Sequence, residues 1–177
     1  TAYRLTAGDL LWTGLATHLV ADADTFADLL FAEGADAAFA SAVHGSEYPE
    51  SALSDMAGRI VEIMGGLQWQ EIATRLQDDT DATASLTREL LAPASPSSLE
   101  AMAALLEYSS RHTLREALDA EFALGCRARQ LPDFAEGVRA VLVDKTKDAA
   151  FVPATLAEIG DGVRAEIRAV LDELPER

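Results

Sequence analysis

The sequence predicts a mainly α-helical chain with one short strand near residues 15–20. Three observations point there. Apolar residues recur at helical spacing along most of the 177 residues. Gly14, Gly65-Gly66 and the Pro93-Ala94-Ser95-Pro96 run punctuate the periodic stretches. Side chains able to cap helix starts stand where several of those stretches begin.

Taken in order, Thr6 and Asp9 have the spacing of a capping box, and Gly14 has the place of a helix stop, so Thr6 to Trp12 reads as a helix. Leu15 to Val20 reads as the strand. Residues 22–44 read as one or two short helices with Phe26, Leu29, Leu30 and Phe39 at the apolar positions. Pro49 and Ser51 open a helix through Met64, which Gly65-Gly66 closes. Leu67 to Leu76 and Ala82 to Ala92 follow as two more, acidic on their outer faces. Ser95 is a good N-cap and Pro96 suits the first helical position. The helix they start should bury Leu99, Met102, Ala103 and Leu106. Leu114, Leu118 and Phe122 make the stripe of a longer helix ending near Leu131. Asp133 and Glu136 are spaced as a capping box for a helix through Val143. A last amphipathic helix carries Ile159, Val163, Ile167 and Val170. A single strand needs a neighbour for its backbone groups. The chain therefore reads as part of a larger fold.

Composition narrows the function. Apolar residues make up 49% and charged residues 25%, which excludes disordered and low-complexity classes. The formal charge of −16 opposes nucleic acid and anionic lipid, so neither is expected as a partner. Apolar runs stay far below the roughly 18 residues of a membrane span. One cysteine, Cys126, excludes an internal disulfide and suggests a reducing, cytoplasmic setting. The chain opens at Thr1 without Met, which leaves room for an upstream targeting segment. His18, His44 and His112 are far apart, so no metal site is expected. Cys126, Trp12 and Trp69 read as core residues, His18 as a structural histidine and Tyr108 as half-exposed.

The charge is uneven. Residues 21–100 hold 15 acidic and 3 basic side chains. Residues 127–147 hold five basic ones (Arg127, Arg129, Arg139, Lys145 and Lys147) against Asp133, Glu136 and Asp144. Both lysines of the chain lie in that window. Lysine suits phosphate contact; equally, a cation near a helix C-terminus is an ordinary surface feature.

The run from Asp133 to Lys145, which contains EGVRAVL, resembles the C-terminal signature of the crotonase (enoyl-CoA hydratase/isomerase) superfamily, with Phe151 and Pro153 following it. It most resembles that of the 3-hydroxyisobutyryl-CoA hydrolases. Thr1 to Leu5 with Gly14 to Val20 is similar to the family's TG-x-R-L and G-x-A-T-H-x-V segments, although Ala2 replaces the glycine. Ser95 to Leu99 is similar to its SP-x-SL helix start, and Glu121 to Leu124 to the helix before EGVRAVL. Val20 to Pro96 spans 76 positions filled with acidic helices, a longer connection than simple hydratases carry.

The resemblance implies the C-terminal helical part of an α/β crotonase (ClpP/crotonase-like) fold. It divides the chain into the end of the crotonase core (1–20), an acidic helical insertion (21–94) and a C-terminal helical region (95–177). It implies hydrolysis of a short-chain 3-hydroxyacyl-CoA thioester in valine breakdown, with no metal or redox cofactor. An enoyl-CoA hydratase/isomerase and a non-catalytic helical interaction protein are the alternatives. The family's catalytic carboxylates and oxyanion-hole amides lie in a β-rich half preceding the TG-x-R-L segment, so no catalytic residue is expected in this chain. Its expected partners are an acyl-CoA and that missing N-terminal half; a homo-oligomer stays open. Lys145 is the expected CoA contact, with Leu142, Lys147 and Phe151 beside it. Thr146 stands where the family often has arginine.

Overall fold

A computed structural model describes residues 3–43, 48–66 and 68–174. Thr1 and Ala2 of the first motif, His44, and the expected helix start at Leu67 lie outside the described residues. The chain forms two compact units, divided between Val61 and Glu62.

In the first unit, α1 (Ala7–Trp12) starts as expected. The Thr6 hydroxyl accepts from the Asp9 backbone N–H, and the Asp9 carboxylate accepts from the Thr6 N–H at 2.9 Å. Gly14 ends the helix with φ of +74°. Asp9 is fully buried and also accepts from the Ser51 hydroxyl (2.8 Å) and the Leu53 N–H (3.0 Å), tying α1 to the chain that enters α4. Gly8 makes that approach feasible, since a Cβ there would stand 2.3 Å from the Glu50 carbonyl oxygen. α2 (Ala23–Glu33) is capped by Asp22, and Gly34, at φ of +93°, separates it from α3 (Ala35–Ala40). α4 (Ala52–Met64) carries the chain into the second unit.

The expected strand is not formed: among the described residues there is none. Residues 15–20 are irregular, and Leu19 accepts a single hydrogen bond, from the Val43 N–H (2.8 Å). One bond does not make a ladder, and without a paired neighbour an apolar run has no strand geometry to adopt. Trp12, expected in the core, is half exposed.

The second unit contains α5 (Trp69–Asp78), α6 (Ala82–Leu91), α7 (Pro96–Ser109), α8 (Leu114–Ala128), α9 (Pro132–Val138) and α10 (Asp161–Asp172). Its main core gathers Ile63, Trp69, Ile72, Leu76, Ala84, Leu91 and Ala103. A second cluster joins Ala120 and Leu124 of α8 to Leu171 of α10. Ser95 caps α7, and Pro96 takes its first position.

Three expectations are corrected here. Leu114, Leu118 and Phe122 face outward, with Phe122 75% exposed, because α8 packs through Ala120 and Leu124 instead. Within the α7 stripe Ala103 is buried, but Met102 and Leu106 are exposed. Asp133 and Glu136 form no capping box. The N-cap of α9 is Leu131, whose side chain has no acceptor to offer, and both carboxylates bind elsewhere. No helix among the described residues is long and apolar enough to cross a membrane.

Candidate functional site

The site develops where α9 ends. After Val138 the helix widens into one π-helical turn, Arg139–Val143. A single π turn adds a residue to the helix and displaces the residues beyond it. The Asp144 N–H closes this turn onto the Arg139 carbonyl oxygen (2.8 Å). Lys145 and Lys147 then adopt left-handed backbone, at φ of 59° and 58°. Non-glycine residues pay for that conformation with a small strain and hold it only where neighbours dictate it.

Arg139 lies at the centre of this turn. Its Nε donates to Glu136 Oε2 and its Nη2 to Glu136 Oε1, both at 2.8 Å. Its Nη1 donates to Asp144 Oδ2 at 2.7 Å, and its Nη2 also reaches Asp148 Oδ1 at 3.1 Å. Three carboxylates thus converge on one planar guanidinium, a geometry that lysine cannot match. Glu136 Oε1 also accepts from the Ala150 N–H (2.8 Å), and the Lys147 N–H donates to the Ala140 carbonyl (2.9 Å). The Thr146 hydroxyl bonds to Asp148. Hydrogen bonding to Arg139, and then to Ala150, lowers the Glu136 carboxyl to about 2. Asp148 is lowered by the Thr146 hydroxyl and then by Arg139. The same three carboxylates raise the Arg139 guanidinium, with Glu136 contributing most. Glu136, Asp148 and Arg139 are therefore ionised at neutral pH.

The result is a turn whose acids are already occupied and whose lysines are not. The side chains of Lys145 and Lys147 are exposed and make no ion pair or hydrogen bond with the described residues. Leu142, on the π turn, is exposed. Phe151 folds back over α9, where a Cβ on Gly137 would lie 3.7 Å from its ring. The four expected contacts therefore lie on one segment beyond α9, with both cations on the tip. The turn offers charge and donors for an anion.

A second feature lies apart from it. Asp133 is buried and accepts from the Ser95 hydroxyl (2.5 Å) and the Val152 N–H (2.9 Å), joining the start of α7 to the turn with the cis Val152–Pro153 bond. Beside it an apolar cavity of about 410 Å³ opens among α7, α8 and α10, lined by Met102, Leu105, Leu124 and Ile167 among others. The Arg127–Glu166 ion pair, at 2.5 Å, contributes both residues to its wall. None of Leu142, Lys145, Lys147 and Phe151 lines it.

Sequence reasoning missed the role of Arg139. The signal was present as one arginine bracketed by Glu136, Asp144 and Asp148, three acids within nine positions of it. The connection from Asp133 to Ser95, 38 residues away, left no local signal.

Residues 1–167 match the family described as enoyl-CoA hydratase/isomerase. The human mitochondrial 3-hydroxyisobutyryl-CoA hydrolase is 30% identical over 171 residues, covering 90% of this chain and 44% of that protein. The Danio rerio protein of the same name is 29% identical, over 98% of this chain and 48% of its own length. Among solved structures, a carnitinyl-CoA dehydratase from Mycobacterium thermoresistibile superposes with a TM-score of 0.80 at 28% identity, over 94% of this chain and 47% of that one. An enoyl-CoA hydratase from Rhodobacter sphaeroides gives 0.77 at 27% identity, over 94% and 48%. The chain spans about half the length of the curated relatives it matches.

Proposed function

This chain belongs to the enoyl-CoA hydratase/isomerase family of the crotonase superfamily, and from that premise we propose that it is the C-terminal helical part of an acyl-CoA hydrolase acting on 3-hydroxyisobutyryl-CoA or a similar short-chain 3-hydroxyacyl-CoA. The reaction adds water across the thioester C–S bond and releases a carboxylate and the CoA thiol, a step of valine breakdown. The observation that carries the reading is the similarity to 3-hydroxyisobutyryl-CoA hydrolases over nine tenths of the chain. The acid–base and oxyanion-stabilising groups belong to a preceding β-rich half in this reading, and this segment contributes to holding CoA. Oxyanion stabilisation by backbone amides calls for no metal or redox cofactor.

Lys145 contacts a CoA phosphate in this reading, and Lys147 adds a second cation beside it. Leu142 and Phe151 supply apolar surface next to the nucleotide. The cation pair at the end of α9, free of acidic partners among the described residues, supports that assignment. The reading also leaves the exposed face of α7 and α8, with Met102, Leu106, Leu118 and Phe122, to be covered by the preceding half.

A second reading, hydration or dehydration of an enoyl-CoA, is favoured by the solved structures, which carry hydratase and dehydratase names. One assay separates the two. The full chain, given 3-hydroxyisobutyryl-CoA, should release free CoA thiol, and given a short-chain enoyl-CoA should leave its conjugated double bond intact. Loss of the double bond without thiol release would replace the hydrolase by the hydratase. Residues 1–177 alone should do neither. A cytoplasmic setting rests on the single cysteine, whereas the curated relatives are mitochondrial by name; fractionation of cells expressing the full chain decides between the compartments.

A further inference from the structure

We infer that Arg139 is a positioning residue that keeps three carboxylates off Lys145 and Lys147, so that both ammonium groups stay available to the phosphates of CoA. The inference rests on the CoA reading above and adds a mechanism to it. Between Glu136 and Asp148 the chain carries three acidic and three basic side chains. Left to themselves, Asp144 and Asp148 would pair with the lysines next to them, and neither ammonium group would be free for an anion. Instead all three acids bind the guanidinium at 2.7–3.1 Å. Arginine suits this because its fork satisfies several carboxylate oxygens in one plane without losing its charge. The π turn brings Asp144 within reach of Arg139, and the bond from the Ala150 N–H to Glu136 fixes the far side of the loop. The two lysines are then the positive charges of the turn without a partner among the described residues.

Charge, rather than shape, is what Arg139 supplies in this account, so removing the surplus acids should compensate for its loss. The measurement is calorimetric binding of CoA to the full chain, with the thermal midpoint recorded for every variant. Lys145→Ala should weaken CoA about three- to tenfold, the effect of one charge-assisted contact. Arg139→Ala should weaken it by a similar factor, because Asp144 and Asp148 then pair with the lysines. Adding Asp144→Asn and Asp148→Asn to Arg139→Ala should restore binding to within about threefold of the starting protein. Those two asparagines alone, on an exposed turn that keeps Arg139, should change binding by less than about twofold, since Arg139 already holds both carboxylates away from the lysines.

Unchanged binding in Arg139→Ala, or a loss that the asparagines do not rescue, overturns the inference and leaves Arg139 as a brace for the turn. If neither Arg139→Ala nor its rescue variant folds, the asparagine pair still decides. Tighter CoA binding by more than about threefold would mean that the acids had opposed the ligand all along. An unchanged affinity in Lys145→Ala would instead sink the CoA reading itself, a result distinguishable from failure of the clamp.

Discussion

At the scale of single residues, the two carboxylates held lowest each join a partner three residues away to a distant backbone N–H. Asp9 accepts from the Thr6 N–H, its largest influence, and then from Leu53 and Ser51, all of which hold it well below the ordinary 3.8. Glu136 sits at about 2 through Arg139 and Ala150. A carboxyl whose folded value lies below its unfolded one stabilises the fold above the unfolded value, and that contribution fades as pH falls toward the folded value. Both contributions are therefore present at neutral pH. The one from Glu136 is lost between about pH 4.5 and about pH 2. Thermal melts across that range should show the midpoint falling on acidification, and both Asp9→Asn and Glu136→Gln should flatten the fall while lowering the neutral-pH midpoint. An equally steep acid limb in both variants would remove these two groups from the account. The Thr6–Asp9 pair could be read from the sequence because its two halves are three residues apart. The Asp9–Ser51 bond could not, because it spans 42 residues and depends on Gly8 admitting the chain of Pro49 and Glu50.

At the scale of elements, α8 shows what periodicity leaves undecided. Leu114, Leu118 and Phe122 make one apolar stripe, while Ala117, Ala120 and Leu124 make another. Both satisfy helical spacing, so choosing between them requires knowing where Leu171 of α10 arrives, about fifty residues later. Substitution separates the faces directly. Leu124→Ala in residues 1–177 should cost about 2–4 kcal/mol in urea unfolding, the range for a buried leucine that leaves a cavity. Phe122→Ala should stay within about 0.5 kcal/mol, as expected of an exposed position. A reversed order would mean that the stripe read from the sequence is the packed one. Helix starts fared better. Ser95-Pro96 at α7 and the Thr6–Asp9 capping box of α1 act within a few residues, and both follow their local chemistry. α9 illustrates the opposite outcome: Leu131 stands at its N-cap, and Asp133 binds Ser95 and Val152 instead.

At the scale of the whole molecule, mainly helical architecture and crotonase membership were both legible, the first from spacing and the second from the run around EGVRAVL. The strand was not, since β-structure is a property of at least two segments and Leu15 to Val20 meets only one bond from Val43. Several large apolar side chains of the second unit face solvent, among them Met102, Leu106, Leu114, Leu118 and Phe122. Contiguous exposed apolar surface binds environment-sensitive dyes and promotes association. Residues 1–177 should therefore enhance the fluorescence of an anilinonaphthalene dye and sediment as larger species with rising concentration. The full chain should do both less, and equal dye binding by the two would mean that the preceding half does not cover this face.

The turn beyond α9 has one more consequence, for how the molecule can be followed. Its two lysines are the only ones in the 177 residues, and both are exposed. An amine-selective reagent added to this chain thus marks side chains at a single place, and a lysine-specific protease opens the backbone only there. Mass spectrometry of either product, with and without CoA, would read the occupancy of that place from peptide masses alone.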